Sequence, residues 1–271
     1  LHLCDRRQRQ MCIRDSIYYH TFDNNHHCQY TEAEVGAIKT KIKVLSGAQL
    51  KYIAFLSMLI DHTNKALIYP NLNGGRLNTV SDIFDIIGRI AFPIFAFLLV
   101  EGFFKTRSRA KYLATLLVFG VISEVPFDLF TTKQFFEPNW NNIMFTLALV
   151  LVTIWMIDVL KKKMEKFPKI LWFLLSFVIL ALMCLIAAIL SLDYDYHAIL
   201  IGYFYYIFHG RELIAIPFNF LSMYKEPWAL LGFGLVLTYN GERGKQNKLI
   251  NYLFYPVHLL ILGLLRIYLG I

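Results

Sequence analysis

RIAFPIFAFLLVEGFFKTRSRAKYLATLLVFGVISEVPFD, running from Arg89 to Asp128, is the stretch whose reading decides the fold. Two apolar runs flank one short basic turn, KTRSRAK, from Lys105 to Lys111. Each run is long enough to cross a bilayer, because roughly 20 residues at about 1.5 Å rise match a hydrocarbon core of roughly 30 Å. Arg89, Glu101, Glu124 and Asp128 lie within these runs or at their ends. A charge at bilayer depth is costly and usually faces a protein interior or a wet cavity, so each is a candidate functional residue. The plainer alternative places Glu101 and Asp128 at the interface and lets Arg89 snorkel outward.

The rest of the chain agrees with a membrane setting. Of 271 residues, 57% are hydrophobic and only 17% charged, whereas a soluble domain is about a quarter charged. Mean hydropathy is +0.49. The apolar residues come in long runs, which implies an all-α, polytopic membrane bundle of one domain; a β-barrel would show short alternating segments. The formal net charge is +8, but the basic residues cluster in short loops. That pattern sets orientation in a bilayer and gives no basic face for nucleic acid. Cys4, Cys12, Cys28 and Cys184 form no CxxC pair, so no disulfide framework or metal site is expected.

Residues 1–44 read as a head separate from the membrane domain at 45–271. Its first part, LHLCDRRQRQMCIRDS, resembles translated sequencing-adapter DNA and is expected to be non-native. Without its four arginines and two aspartates the net charge becomes +6. No apolar stretch follows, so it is not a signal peptide. His20, His26, His27 and Cys28 follow in a polar tract that receives no function.

Nine apolar segments are expected, at about 50–69, 83–104, 112–130, 143–160, 170–192, 198–208, 213–223, 228–239 and 249–269. NLNGGRLNTVSD and TTKQFFEPNWNN read as loops. The two runs joined by HGRE are short, and fit either tilted spans or a re-entrant hairpin. Basic loops (KTRSRAK, KKKMEKFPK, HGRE, NGERGKQNK) alternate with basic-poor ones. This predicts a cytoplasmic N-terminus and an outer C-terminus.

Helical rise gives depths. Arg89 and Glu124 each fall roughly 10 Å in from the outer side, near Asp61 and His62, with His258 close to mid-membrane. These five residues can share one outer-half cavity. A histidine titrating near neutrality is a plausible general base. Asp61 and His62 point about 100° apart on a helix, so Glu124 or another helix is the better orienter of the imidazole. Arg89 could hold a developing oxyanion, or merely knit two helices by pairing with Glu124. On the cytoplasmic side Glu101 sits beside a positive rim of Lys105, Arg107, Arg109, Lys111 and Lys161 to Lys163. That rim is either topology signal and headgroup contact or a site for a polyphosphate donor such as coenzyme A.

IDH (60–62), RIAFPIFAFLLVEGFFKTRSRAKY (89–112), ISEVPFDL (122–129), NNIMFTL (141–147), YNGERG (239–244) and FYPVHLL (254–260) resemble the TraX family. The resemblance runs from about residue 45 to the C-terminus. It implies kinship with integral-membrane acyltransferases that use cytoplasmic acyl-CoA and modify acceptors across the membrane; the family is named for a protein that N-acetylates pilin. In such relatives a histidine near the end of the first helix is held to be catalytic, and His62 matches it. The implied activity is acyl transfer, with acetyl-CoA as the favoured donor, an unidentified amine or hydroxyl acceptor, and Glu101, Lys105, Arg107, Arg109 and Arg243 at the donor site. The rival reading is a transporter using the same charges as a relay. Such folds often show internal repeats, and no convincing repeat is visible. A non-catalytic scaffold is the third reading.

Overall fold

The computed structural model describes residues 43–271, so the expected head and its histidines lie outside the described residues. Ten α-helices follow in order: α1 (Gly47–Thr63), α2 (Arg76–Gly88), α3 (Ala91–Lys105), α4 (Arg109–Thr131), α5 (Ile143–Lys163), α6 (Lys169–Ile189), α7 (Asp195–Ile207), α8 (Glu212–Ser222), α9 (Ala229–Val236) and α10 (Lys248–Leu269). α3 is central and packs on α1, α5, α7 and α9, while α4 and α10 pair along one side. The larger apolar core includes Phe97, Val100, Ile154, Ile199 and Phe233, and a smaller one gathers Phe55, Phe127, Tyr255 and Leu259.

Five helices among the described residues are long and apolar enough to cross a membrane: Arg76–Lys105 taken through its break, Arg109–Thr131, Ile143–Lys163, Lys169–Ile189 and Leu249–Leu269. The expected count was about nine. α1, α7, α8 and α9 have 17, 13, 11 and 8 residues, short of the roughly 20 a crossing needs. Length and composition therefore support five.

Local chemistry sets the helix ends. Ser46 and Gln49 form a capping box at the start of α1, which satisfies two amides that would otherwise lack partners. Ser108 caps α4, Asn142 caps α5 and Asn247 caps α10. α1 runs on through a π-turn at Asn64–Ile68 and a 3₁₀ turn at Tyr69–Asn71.

The expected loop over 71–82 needs correction, because α2 starts at Arg76. Its first turns are too polar for hydropathy to register, and Gly74 and Gly75, both at positive φ, mark the true boundary. The break between α2 and α3 also has a cause. Pro93 cannot donate to the Arg89 carbonyl and would clash with it, so the helix bends there. Ser57 Oγ donates to the Ile87 carbonyl at 2.6 Å and lies 3.3 Å from that of Gly88, covering backbone the bend leaves open.

Backbone contacts define two ends of the bundle. At one, Leu45 donates to Thr238, Gly47 donates to Glu242, and Lys105 reaches Gly241. KTRSRAK lies here, so this is the basic end. At the other, Asn141 exchanges hydrogen bonds with Ser191 and Asp193, and Arg266 donates to the carbonyls of Phe130 and Thr131.

Candidate active site

KTRSRAK forms one wall of a cleft of about 610 Å³ at the basic end, within the usual size range of small-molecule sites. Lys51, Lys105, Arg107, Lys111 and Arg243 all line it. Lys105 is engaged, 2.8 Å from Glu101 and donating to the Tyr239 hydroxyl. Lys51 donates to Gln246, and Lys51, Arg107, Lys111 and Arg243 make no ion pair among the described residues. The first turns of α1, α4 and α10 border the same cleft through Gly47, Ser108 and Asn251. Helix N-termini carry partial positive charge and bind phosphate readily. Cations and helix ends together suit a polyphosphate anion.

Glu101 is buried in the cleft wall. Besides Lys105 it meets His209 Nε2 at 2.7 Å and accepts from Tyr239 at 3.3 Å. His209 was not singled out in the sequence, where HGRE reads only as a basic loop. Arg109 requires a correction: it is absent from the cleft lining. Its Nη1 lies 2.6 Å from Asp158 Oδ2, and its guanidinium covers the Phe103 ring at 3.9 Å. Asp158 is buried on α5 and needs a counter-charge, so Arg109 ties α4 to α5.

The cleft's inner wall includes Phe55, Phe95, Met144, Leu147 and Asn251. These same residues line a second chamber of about 90 Å³. Cleft and chamber are therefore adjoining, with four apolar side chains and one amide at the neck. Asp61, His62, Asp193, Tyr194 and Tyr255 complete the chamber's polar lining.

His62 is oriented by a chain of bonds. His258 Nδ1 lies 2.6 Å from the Phe254 carbonyl, which can only accept. Nδ1 of His258 therefore carries the proton, and the Nε2 of a neutral His258 is an acceptor. His62 Nδ1 lies 2.8 Å from that Nε2, so it donates. This assignment leaves His62 Nε2 with its lone pair free, 3.9 Å from Asp61 Oδ2. The two rings are nearly parallel, 4° apart in plane, and Phe130 packs on His62. An unprotonated nitrogen is thus left beside Asp61 on a chamber-lining ring whose orientation is fixed by a partner on α10.

Asp61 is 2.7 Å from Lys65 one turn later. It packs where α2 has no side chain: a Cβ on Gly88 would sit 2.4 Å from Asp61 Oδ1. Arg89 and Glu124 do not join this group, contrary to expectation. Arg89 binds Asp85 at 2.6 Å and Glu226 at 3.1 Å. Glu124 accepts from Asn142, which also donates to the Gly120 carbonyl. Depth along a helix put both residues at the right level. The bend at Pro93 and the azimuth of α4 turn them to other partners, and neither lines the chamber.

Asp193 lines the chamber and was missed because DYDYH reads only as an acidic turn between two apolar runs. Loss of water around it pushes its carboxyl up to about 6, opposed by Lys65 and the Tyr194 amide and aided by Asp61. The chain around it is strained, with Ser191, Tyr194 and Asp195 all at positive φ.

The model of the family described as TraX protein matches residues 46–266. A protein of Dichelobacter nodosus named "Probable fimbrial assembly protein FimC, serogroup H1" is 29% identical over 240 residues, spanning 80% of this chain and 94% of that relative. No solved structure matches. With a family match across most of its length, covering His62, the neck and both ends of the cleft, the chain belongs to the TraX family.

Proposed function

We propose that this protein is an integral-membrane acyltransferase that moves an acyl group from cytoplasmic acyl-CoA to an amine or hydroxyl acceptor on the membrane or its outer side. The observation that carries this reading is the adjoining cleft and chamber: unpaired cations at one end and the free Nε2 of His62 at the other. In this reading Lys51, Arg107, Lys111 and Arg243 hold the phosphates of the donor. Its acylated arm passes the neck between Phe55 and Leu147, and acetyl is the favoured group for so small a chamber. His62 Nε2 takes the acceptor's proton while His258 keeps the imidazole in the useful tautomer. Phe55, Phe95 and Phe127 make part of the chamber wall apolar.

The short helices belong to this proposal too. Counting α1, α7, α8 and α9 as tilted or partial crossings gives nine traverses, with the basic end in the cytoplasm of a bacterial inner membrane. The relative's name concerns fimbrial assembly, so a pilin-like subunit is an acceptor worth testing first.

The test is label transfer and thiol release from radiolabelled acetyl-CoA, with protein in nanodiscs. Wild type should turn over, and His62→Ala should lose at least about 100-fold, the usual scale for a general base. Folded wild-type protein that neither binds nor consumes acetyl-CoA or longer acyl-CoAs would overturn the reading.

A further inference from the structure

Asp193 has no part in the scheme so far, yet it shares the chamber with His62. Its placement is over-determined. The Asp193 amide donates to the Asn141 carbonyl at 3.2 Å, its own carbonyl accepts from Thr146 Oγ1 at 2.7 Å, and Asn141 Nδ2 donates to the Leu190 carbonyl at 2.7 Å. Tyr194 then stacks on Phe92, with centroids 3.8 Å apart. Three residues of this short turn, none of them glycine, hold positive φ. Such conformations are costly and persist where the surroundings enforce them, most often at functional sites.

The carboxyl is only partly satisfied. Oδ1 accepts from the Tyr194 amide at 3.2 Å, and Oδ2 makes no hydrogen bond among the described residues. Asp193 is half-buried and lines the chamber. Asp61 differs: its Oδ2 pairs with Lys65 and its Oδ1 packs against Gly88. Among the described residues the chamber therefore offers Asp193 Oδ2, which has neither a cation nor a hydrogen bond, and one imidazole nitrogen without a hydrogen bond. An incoming primary amine can use both: the carboxylate oxygen fixes one N–H, and the base takes the proton of the other.

We propose that Asp193 is the acceptor-positioning residue, its Oδ2 holding one N–H of the attacking nucleophile while His62 Nε2 takes another. This rests on the acyltransferase reading. For a primary amine, the nitrogen lone pair forms the new C–N bond at the thioester carbonyl. The N–H proton passes to His62 Nε2, the C–S bond breaks, and the departing sulfur takes that proton to leave as a thiol. Asp193 changes no covalent bond. Its effect is on how often the nucleophile stands in line.

The experiment uses full-length protein in nanodiscs, acetyl-CoA as donor and ethylamine as the probe nucleophile. N-ethylacetamide is followed by mass spectrometry, and thiol release without amine gives hydrolysis. For Asp193→Asn the expected result is a KM for ethylamine raised at least about tenfold, with hydrolysis within about threefold of wild type. Asp193→Glu should recover part of the difference. Ethylamine should also raise the melting temperature of wild type in the absence of donor, and raise that of Asp193→Asn less. An unchanged KM in folded Asp193→Asn, or transfer and hydrolysis falling together, overturns the positioning role while leaving the acyltransferase reading in place. Wild type that transfers to neither ethylamine nor water overturns both.

Discussion

His62 gains its chemical character from atoms beyond its own helix. The Phe254 carbonyl fixes the proton of His258, and His258 fixes that of His62. Under the proposed acyl transfer, removing His258 should therefore free the His62 ring to rotate and change tautomer without deleting the proposed base. His258→Ala is expected to lower kcat by roughly 10-fold to 100-fold, less than His62→Ala, with little change in KM for acetyl-CoA; paired kinetics check this. Asp193 gives a pH prediction. Its folded-state carboxyl titrates near 6, above the ordinary aspartate value, so the folded state binds the proton more tightly. Stability from this group is complete below the unfolded value near 3.9 and is lost as pH rises toward 6. The neighbouring Asp61, Lys65 and Tyr194 set the local field. Asp193→Asn should flatten the melting temperature across about pH 4 to 6, and a wild-type profile already flat there would contradict the assignment.

At the scale of elements, the site depends on how closely α2, α3 and α9 meet at one bend. Gly232 on α9 faces the Ile90 carbonyl so closely that a Cβ would lie 2.6 Å from the oxygen. Backbone cannot yield as a flexible side chain can, so Gly232→Ala should cost about 1–3 kcal/mol by overpacking. Ser57→Ala removes the donor to the Ile87 and Gly88 carbonyls. It should cost about 0.5–1.5 kcal/mol, the usual net worth of one hydrogen bond, because the Ile87 carbonyl keeps the Ile90 amide. Thermal unfolding in detergent measures both. The bend itself could have been read from Pro93, whereas its effect on Arg89 could not. A proline in the third position of a helix marks where the chain turns, but not which carboxylates wait on the other side.

For the whole molecule, the separation of charge predicts orientation. Arg107 lies at the basic end and Lys133 follows α4 at the other. Single cysteines placed there by Arg107→Cys and Lys133→Cys, in a background lacking the native cysteines, should label oppositely in intact cells. A membrane-impermeant maleimide should reach position 133 and spare position 107. The reverse pattern would turn the basic cleft away from the cytoplasm and from the acyl-CoA that the proposed function requires.

The sequence alone determined that this is a helical membrane protein, where its long apolar helices run, which loops are basic and that it resembles the TraX family. Those properties are local, since hydropathy, length and short motifs survive any rearrangement of the helices in space. It also singled out Asp61, His62 and His258 and the cations Lys105, Arg107 and Arg243, because a charge or imidazole in an apolar run stands out without a fold. Only the tertiary structure decided who meets whom. The rotation of each helix about its axis brought His258 to His62 and sent Arg89 to Asp85 and Glu226, Glu124 to Asn142 and Arg109 to Asp158. Asp193 entered the chamber through a strained turn that resembles a surface loop in one dimension. Depth in a membrane follows from counting residues, but azimuth and strand-like crossings of loops follow from packing between segments distant in the chain.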